Sequence, residues 1–388
     1  MMITESLRAH MFNRLYVHVP FCLEKCNYCA FVSSPPGKND LAGYPHLLLQ
    51  ELQLHPPGAA PLDSVYFGGG TPSLLHPNQI GRLLEEVSGH FGIRADAEIT
   101  LEANPGTIDH ICLAALHDAG INRISLGIQS FDDHFLECLG RIHTSKQSRQ
   151  AFRDAREAGF DNVSIDLIHS LPGQSLGQWR SELQQALMLN PEHISIYGLT
   201  VEEGTPFARA YSANSPELPD EDLSADMFEL ADEVLSAAGF EHYEIANYAR
   251  PGRHSRHNSG YWKRDGYLGL GVAAHSFLRE GNGIRFNNPG TLEEYRRSIT
   301  AGQLSRVSEF KLTQDDAMEE YLFLGLRLAA GVNLHDFELE FGRSVSSAFG
   351  SAVDDLVTAG LLVKNDNIIA LTLRGMLLSN QVFSSFLL

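Results

Sequence analysis

Short apolar runs alternate with longer amphipathic stretches over the first 200 residues, and this alternation leaves few architectures open. Leu15–Val19, Ser64–Phe67, Ala97–Leu101, Arg123–Ile128, Val163–Ile168 and His193–Tyr197 read as buried parallel strands. Asn78–Phe91, Ile108–Ala119, Lys146–Ala158 and Ser175–Leu189 read as helices, and Gly120 and Gly159 stand where two of them should stop. Repeated strand–helix alternation implies a parallel sheet with right-handed crossovers. Polar residues cluster just after the strands, as they do on the C-terminal face of a (β/α) barrel. Alternation alone does not separate a barrel from an open sheet.

The pattern breaks near residue 200. Ser212–Asp222 is rich in Pro, Ser, Asn and acid and reads as a surface linker. A helix is expected at Leu223–Ala238, stopped by Gly239, and a strand at Glu241–Tyr248. Arg250–Tyr267 is polar, with Gly, His, Asn and aromatics, and reads as a long functional loop. From about Leu312 the tail has helical segments and then two apolar runs around Asn365–Asn367, a hairpin signal. Helix, helix, hairpin resembles a winged helix. The division is 1–210, a barrel carrying the site; 211–300, a connecting region; and 301–388, a smaller, mostly helical, winged-helix-like domain.

With 48 acidic against 29 basic residues, the net charge of −19 disfavours a phosphate backbone or an anionic membrane as main partner. No apolar run reaches the roughly 18 residues of a transmembrane helix, and MMITESLRAHMFNR lacks the apolar core of a signal peptide. The cytoplasm is the expected location. The tail from residue 333 carries six acidic and three basic residues, which argues against DNA contact by the wing.

Three of the five cysteines lie within eight residues, in Cys22-Leu-Glu-Lys-Cys26-Asn-Tyr-Cys29, directly after the first strand. Three thiolates from one loop can hold three irons of a [4Fe–4S] cube and leave the fourth iron without a protein ligand. That iron can take the amine and carboxylate of S-adenosylmethionine. Structural zinc takes four ligands, and the nearest fourth candidate, His18, lies inside the preceding strand. A disulfide would leave one thiol over.

Gly68-Gly69-Gly70-Thr71 ends the second strand, and glycines let backbone groups approach a ligand closely. Glu102, Gln129 and Asp166 lie in or at the ends of the next three strands, and Arg141 follows the fourth. A guanidinium suits a carboxylate; acids and amides suit hydroxyls and an ammonium. Each alone is equally a capping or surface residue.

The C-x3-C-x2-C pattern after a strand is identified as that of the radical-SAM superfamily. Tyr16-Val-His-Val-Pro-Phe-Cys22, Gly-Gly-Gly-Thr-Pro-Ser, Glu-Ala-Asn-Pro, Gly-Ile-Gln-Ser-Phe, Leu-Gly-Arg141-Ile-His and Asp166-Leu-Ile-His-Ser-Leu-Pro-Gly resemble the oxygen-independent coproporphyrinogen III dehydrogenase (HemN) group over nearly the whole chain. The resemblance implies a partial (β/α)6 TIM-like barrel with the cluster at its top. It also places Tyr16, Gly69, Gly70, Thr71, Glu102, Gln129, Arg141 and Asp166 around S-adenosylmethionine. Ser170 stands where the family usually has Gly in the Leu-Pro loop, which leaves that turn open.

Two features resemble the HemW-type haem chaperones instead. The dehydrogenase motif continues to a further Cys, where this chain has Phe31; and His257-Asn258-Ser-Gly-Tyr261-Trp262 is similar to the chaperones' HNxxYW signature, linked to haem binding. The chain also starts 21 residues before Cys22, without the longer arm of the dehydrogenase. Imidazole can ligate haem iron, and Tyr and Trp can stack on a porphyrin, so His257, Tyr261 and Trp262 are the haem candidates. A hydrogen-bonded His beside packed aromatics is the alternative, and His254 could compete as ligand. His275, in Gly-Val-Ala-Ala-His-Ser, reads as structural. The resemblance implies haem binding and transfer to acceptor proteins, respiratory ones included, with cluster and S-adenosylmethionine in support. The alternative is a coproporphyrinogen oxidase that turns propionates into vinyl groups. A homodimer and a peripheral position at a membrane are compatible with the first reading; the electron donor is open.

Overall fold

The computed structural model describes residues 12–58, 60–212 and 215–388. Most of the MMITESLRAHMFNR segment and part of the Ser212–Asp222 linker lie outside the described residues. Six parallel strands pair in chain order, β1 (Arg14–Val19), β2 (Leu62–Gly69), β3 (Ile93–Ala103), β4 (Arg123–Gln129), β5 (Val163–His169) and β6 (His193–Gly198). The crossovers carry α1 (Asp40–Leu54), α2 (Pro77–Phe91), α3 (His110–Asp118), α4 (Asp133–Cys138), α5 (Ser145–Glu157) and α6 (Leu176–Leu189). A short α7 (Pro206–Ala210) and α8 (Glu221–Ala237) follow β6.

The strands alternate more strictly than buried parallel strands usually do. Leu15, Val17 and Val19, then Val65 and Phe67, Ile124, Leu126 and Ile128, Val163, Ile165 and Leu167, and Ile194 and Ile196 all join the main apolar core. The residues between them are polar: Tyr16 and His18, Ser64 and Tyr66, Arg123 and Ser125, Ser164 and Asp166, His193 and Ser195. One face therefore packs on helices and the other encloses a polar interior, where side chains bond one another. Ser164 Oγ meets His193 Nδ1 at 2.8 Å, for example, and His193 Nε2 meets the Tyr243 hydroxyl at 2.8 Å.

The region 211–300 supplies further strands to the same sheet. β7 (Glu241–Glu244) and β8 (Asn247–Ala249) extend it beyond β6. On the other side, β9 (Tyr267–Leu270) pairs parallel with β1, and β10 (His275–Leu278), β11 (Ile284–Asn287) and β12 (Val307–Lys311) follow antiparallel, giving twelve strands. Arg250–Tyr267, expected as loop, contains α9 (Arg256–Trp262). Ser255 caps it by accepting from the Asn258 amide at 3.3 Å. α9 lies inside the curve of the sheet, and a Cβ at Gly260 would collide with the Arg14 guanidinium. α10 (Leu292–Thr300) packs on α1.

The tail holds α11 (Gln314–Gly325), β13 (Val332–Asn333), α12 (Leu334–Phe341), α13 (Val345–Phe349) and α14 (Ala352–Thr358). The expected hairpin is β14 (Leu362–Asn365) and β15 (Ile368–Leu371), and with β13 it makes a separate three-stranded sheet. Its apolar cluster, with Met318, Leu322, Phe337, Ile369 and Phe386, is distinct from the barrel core. Ser170 takes φ 60°, the left-handed conformation a glycine would supply, and its hydroxyl bonds His169 Nδ1 at 2.9 Å.

Candidate cofactor site

The cysteine loop is anchored at several points. Cys22 N donates to Ser34 O at 3.1 Å, Asn27 N to Leu139 O at 3.0 Å, and the Asn27 side-chain amide to Cys138 O at 2.9 Å. The loop turns back on itself through Cys29 N to Cys26 O at 3.2 Å. All three thiols are free and partly exposed. Burial pushes the Cys29 thiol above its ordinary pKa, and the neighbouring Cys26 and Cys22 add to this. Three free thiols on one loop, one of them beside a guanidinium, are the donor set that an iron–sulfur cluster takes.

The loop roofs a cavity of about 610 Å³. Gly69, Gly70, Thr71, Glu102, Gln129, Arg141 and Asp166 line it together with the three cysteines. Thr71 Oγ1 donates to Cys22 Sγ at 3.5 Å. Arg141 reaches Cys26 Sγ with Nη1 at 3.3 Å and Gly127 O with Nη2 at 2.7 Å, while its buried Nε has no partner. An unpaired N–H on a buried guanidinium is costly, and a ligand carboxylate would satisfy it. Glu102 accepts from the Tyr66 hydroxyl at 2.7 Å and from Gly69 N at 3.2 Å, and burial pushes its carboxyl up to about 7. Burial likewise raises Asp166, against the pull of hydroxyl hydrogen bonds and Arg123. An ammonium or ribose hydroxyls would stabilise both acids as carboxylates.

The glycine run has a packing role as well. A Cβ at Gly70 would stand 2.6 Å from Phe21 O, and one at Gly69, where φ is 109°, would meet the His18 ring at 2.5 Å. These glycines let β2 close against the strand that feeds the cysteine loop. Gln129 sits at φ 67°, which turns the chain at the end of β4. Tyr16 is not among the lining residues; its hydroxyl bonds His18 Nδ1 at 3.0 Å, and its ring stacks on Tyr66 at 6.2 Å. Tyr28, Ser125, Tyr197 and Glu202 line the cavity without having been singled out. Position could have found Ser125 and Tyr197, since both alternate with apolar residues on strands that end at the site.

The sequence model of the Radical SAM superfamily matches residues 16–186, and that of the HemN C-terminal domain matches 312–378. The solved structure of coproporphyrinogen III oxidase (HemN) from Escherichia coli superposes with a TM-score of 0.85 at 25% identity, covering 98% of this chain and 91% of that one. The heme chaperone HemW of Lactococcus lactis is 36% identical over 97% of both chains. That of Escherichia coli is 34% identical, covering 96% of this chain and 97% of its own. The chain belongs to the HemW family. A bovine relative, radical S-adenosyl methionine domain-containing protein 1, mitochondrial, is 35% identical over 96% of this chain and 87% of its own.

In this HemW-family chain the HNxxYW segment is α9, at the far side of Tyr66 from Glu102. His257 is 1% exposed. Its Nδ1 pairs with Ser64 Oγ at 2.8 Å and its Nε2 with the Tyr261 hydroxyl at 2.7 Å. Its amide donates to Glu98 at 2.9 Å, and its ring stacks on Tyr66 at 5.0 Å. Burial, with Arg14 and Arg123 nearby, holds the imidazole well below its ordinary pKa, hence neutral. Both ring nitrogens are thus engaged, and iron ligation would break a buried hydrogen bond. Trp262 packs under the Arg327 guanidinium at 4.3 Å. His254 is half-buried, pairs with Glu241 at 2.6 Å and stacks on Tyr243 at 4.2 Å. The structure therefore gathers twelve of the fourteen singled-out residues around two centres, ten at the cavity and His257 with Tyr261 inside the sheet, rather than one.

Among the described residues no helix is long and apolar enough to cross a membrane.

Proposed function

We propose that this chain binds haem and passes it to acceptor proteins, with a [4Fe–4S] cluster on Cys22, Cys26 and Cys29 and S-adenosylmethionine in the adjoining cavity. The observation that carries the cofactor part is the meeting of three free thiols with the unpartnered Nε of Arg141 at one cavity. Full-length similarity to curated heme chaperones supports the haem part. Phe31, 67% exposed where the dehydrogenase motif has a further Cys, also favours it over porphyrinogen oxidation.

A bound cluster would supply an electron for reductive cleavage of a sulfonium C–S bond. The protein's own groups do the rest. Arg141 orients a carboxylate through a charge-assisted hydrogen bond. Glu102 and Asp166 hold ammonium and hydroxyl groups. Tyr66 fixes the Glu102 carboxylate from behind, and Arg141 bonded to Cys26 stabilises that sulfur as thiolate. Haem-accepting proteins, respiratory ones among them, are the partners this reading requires.

The test is a paired one. The cluster is reconstituted anaerobically, and haem binding and coproporphyrinogen turnover are measured on the same sample. Stable haem binding without vinyl product is expected. Several turnovers of vinyl product would overturn the chaperone reading in favour of the oxidase.

A further inference from the structure

We propose that Arg123, buried in the layer beneath the cofactor cavity, is the counter-cation that holds Glu102 and Asp166 as carboxylates for the ammonium and ribose hydroxyls of S-adenosylmethionine. It is a positioning residue that acts through the two acids, and the proposal rests on the cofactor part of the reading above.

Strand register places the guanidinium. Arg123 opens β4 and is 2% exposed. Ile124 and Leu126 belong to the apolar core, so Arg123 and Ser125 face the polar interior. Ser125 lines the cavity, and two residues along a strand span about 6.6 Å. Arg123 therefore stands one inward position below the cavity wall. On β3, Thr100 pairs with Arg123 and Glu102 with Ser125. On β5, Asp166 accepts from Ser125 Oγ at 3.3 Å through both carboxylate oxygens. The two acids thus flank the position above Arg123, one from each neighbouring strand.

No carboxylate pairs directly with Arg123 among the described residues. Its Nε has no partner, nor has the buried Thr100 hydroxyl on the strand beside it. Glu98, one inward position below Thr100, has both oxygens engaged by α9, accepting from the Arg256 and His257 amides at 2.9 Å. A guanidinium keeps its charge when buried, and a buried charge is costly unless other charges answer it. In a water-poor interior its field is weakly screened. At Glu102 and Asp166, where burial pushes the carboxyls up, the Arg123 charge pulls them back down. At His193 and His257 it adds to burial in keeping the imidazoles neutral.

The other ionisable groups facing the two acids cannot replace it. Tyr16 on β1, Tyr28 in the cysteine loop, Tyr66 on β2, Tyr197 on β6 and Tyr261 on α9 are all raised by desolvation, so these phenols carry no charge. Arg141 is bonded to Cys26 and to Gly127 O. Arg123 is the cation beside the acids that is tied to neither the thiols nor the backbone.

The test measures S-adenosylmethionine affinity by calorimetry from about pH 6 to about pH 9, on the cluster-loaded full chain and on Arg123→Met, Arg123→Gln and Arg123→Lys variants. Iron content and circular dichroism check that each is loaded and folded, and Gln serves if Met, which cannot hydrogen-bond, does not fold. Losing the cation raises both acids, so the neutral variants should begin to lose affinity at a pH about one unit higher than the native chain. They should bind roughly tenfold more weakly at neutral pH and recover at the alkaline end. Arg123→Lys, which returns the charge, should bring the profile back. Neutral variants whose profile overlays the native one, or whose loss is equal at every pH, would overturn the proposal. So would a Lys variant that follows the neutral ones. These results leave the cofactor reading standing, whereas a native chain that binds no S-adenosylmethionine would overturn that reading and the proposal together.

Discussion

The two ends of the polar interior differ in how their hydrogen bonds are completed. At the α9 end, His257 uses both ring nitrogens and its amide, and Ser64, Tyr261 and Glu98 answer them at 2.7–2.9 Å. At the cysteine end, Arg141 keeps an unpartnered buried Nε, three thiols stand free, and Glu102 and Asp166 are raised acids. Buried polar groups in folded proteins are normally satisfied. Trp262 Nε1 and Arg14 Nε at the α9 end also lack partners, so the contrast rests on His257, whose bonds hold the sheet, against the free thiols and raised acids gathered at the cavity. Tyr66 joins them, stacked on His257 and bonded to Glu102.

The strongest way to break this contrast is at the thiols. Cys26→Ser should abolish cluster reconstitution, with iron and acid-labile sulfide at background, while His257→Gln keeps full iron content. A normal cluster in Cys26→Ser would remove the loop from the site.

Next comes Arg141→Met. Loss of one charge-assisted hydrogen bond, about 2–3 kcal/mol, corresponds to roughly 30- to 150-fold weaker S-adenosylmethionine binding, measured by calorimetry on the cluster-loaded protein. Unchanged affinity would mean that Arg141 serves only Cys26 and Gly127.

His257→Ala should act on stability instead. It leaves Ser64 and Tyr261 without partners, and we expect about 2–3 kcal/mol of destabilisation in denaturant unfolding. A variant as stable as the native chain would sink the structural role.

The smallest effect is on pH. With the Glu102 carboxyl pushed up to about 7, it gains a proton as pH falls through that value and no longer attracts an ammonium. S-adenosylmethionine affinity should therefore fall below pH 7, by at most about tenfold per unit, and Glu102→Gln should flatten the profile. A flat native profile would place the ammonium elsewhere.

Much of the barrel was legible because parallel strands leave a local signal. β1 to β6 lie within a few residues of the apolar runs, and α2, α3, α5 and α6 follow the amphipathic stretches. The cysteine loop was legible because its three ligands are close in sequence. α1 was missed, with Pro45 inside it and a weak apolar stripe. β9 to β12 were missed because they are four or five residues long and pair with partners remote in sequence. α9 read as loop because its polar residues face a polar interior, which inverts the usual pattern, and because Gly260 is there for Arg14 and not for a turn.

The sequence by itself determined the thiol set, the six-fold strand–helix repeat and the family, since each depends on neighbours along the chain. Only the tertiary structure decided which histidine is buried and which is open. Arg256–Trp262 folds into the interior, where Ser64 and Glu98 from distant strands take up His257. His275 stays exposed at the start of β10. Imidazoles have the same chemistry in sequence. Their partners, supplied by pairing across the sheet, make one of them a strut and leave the other exposed.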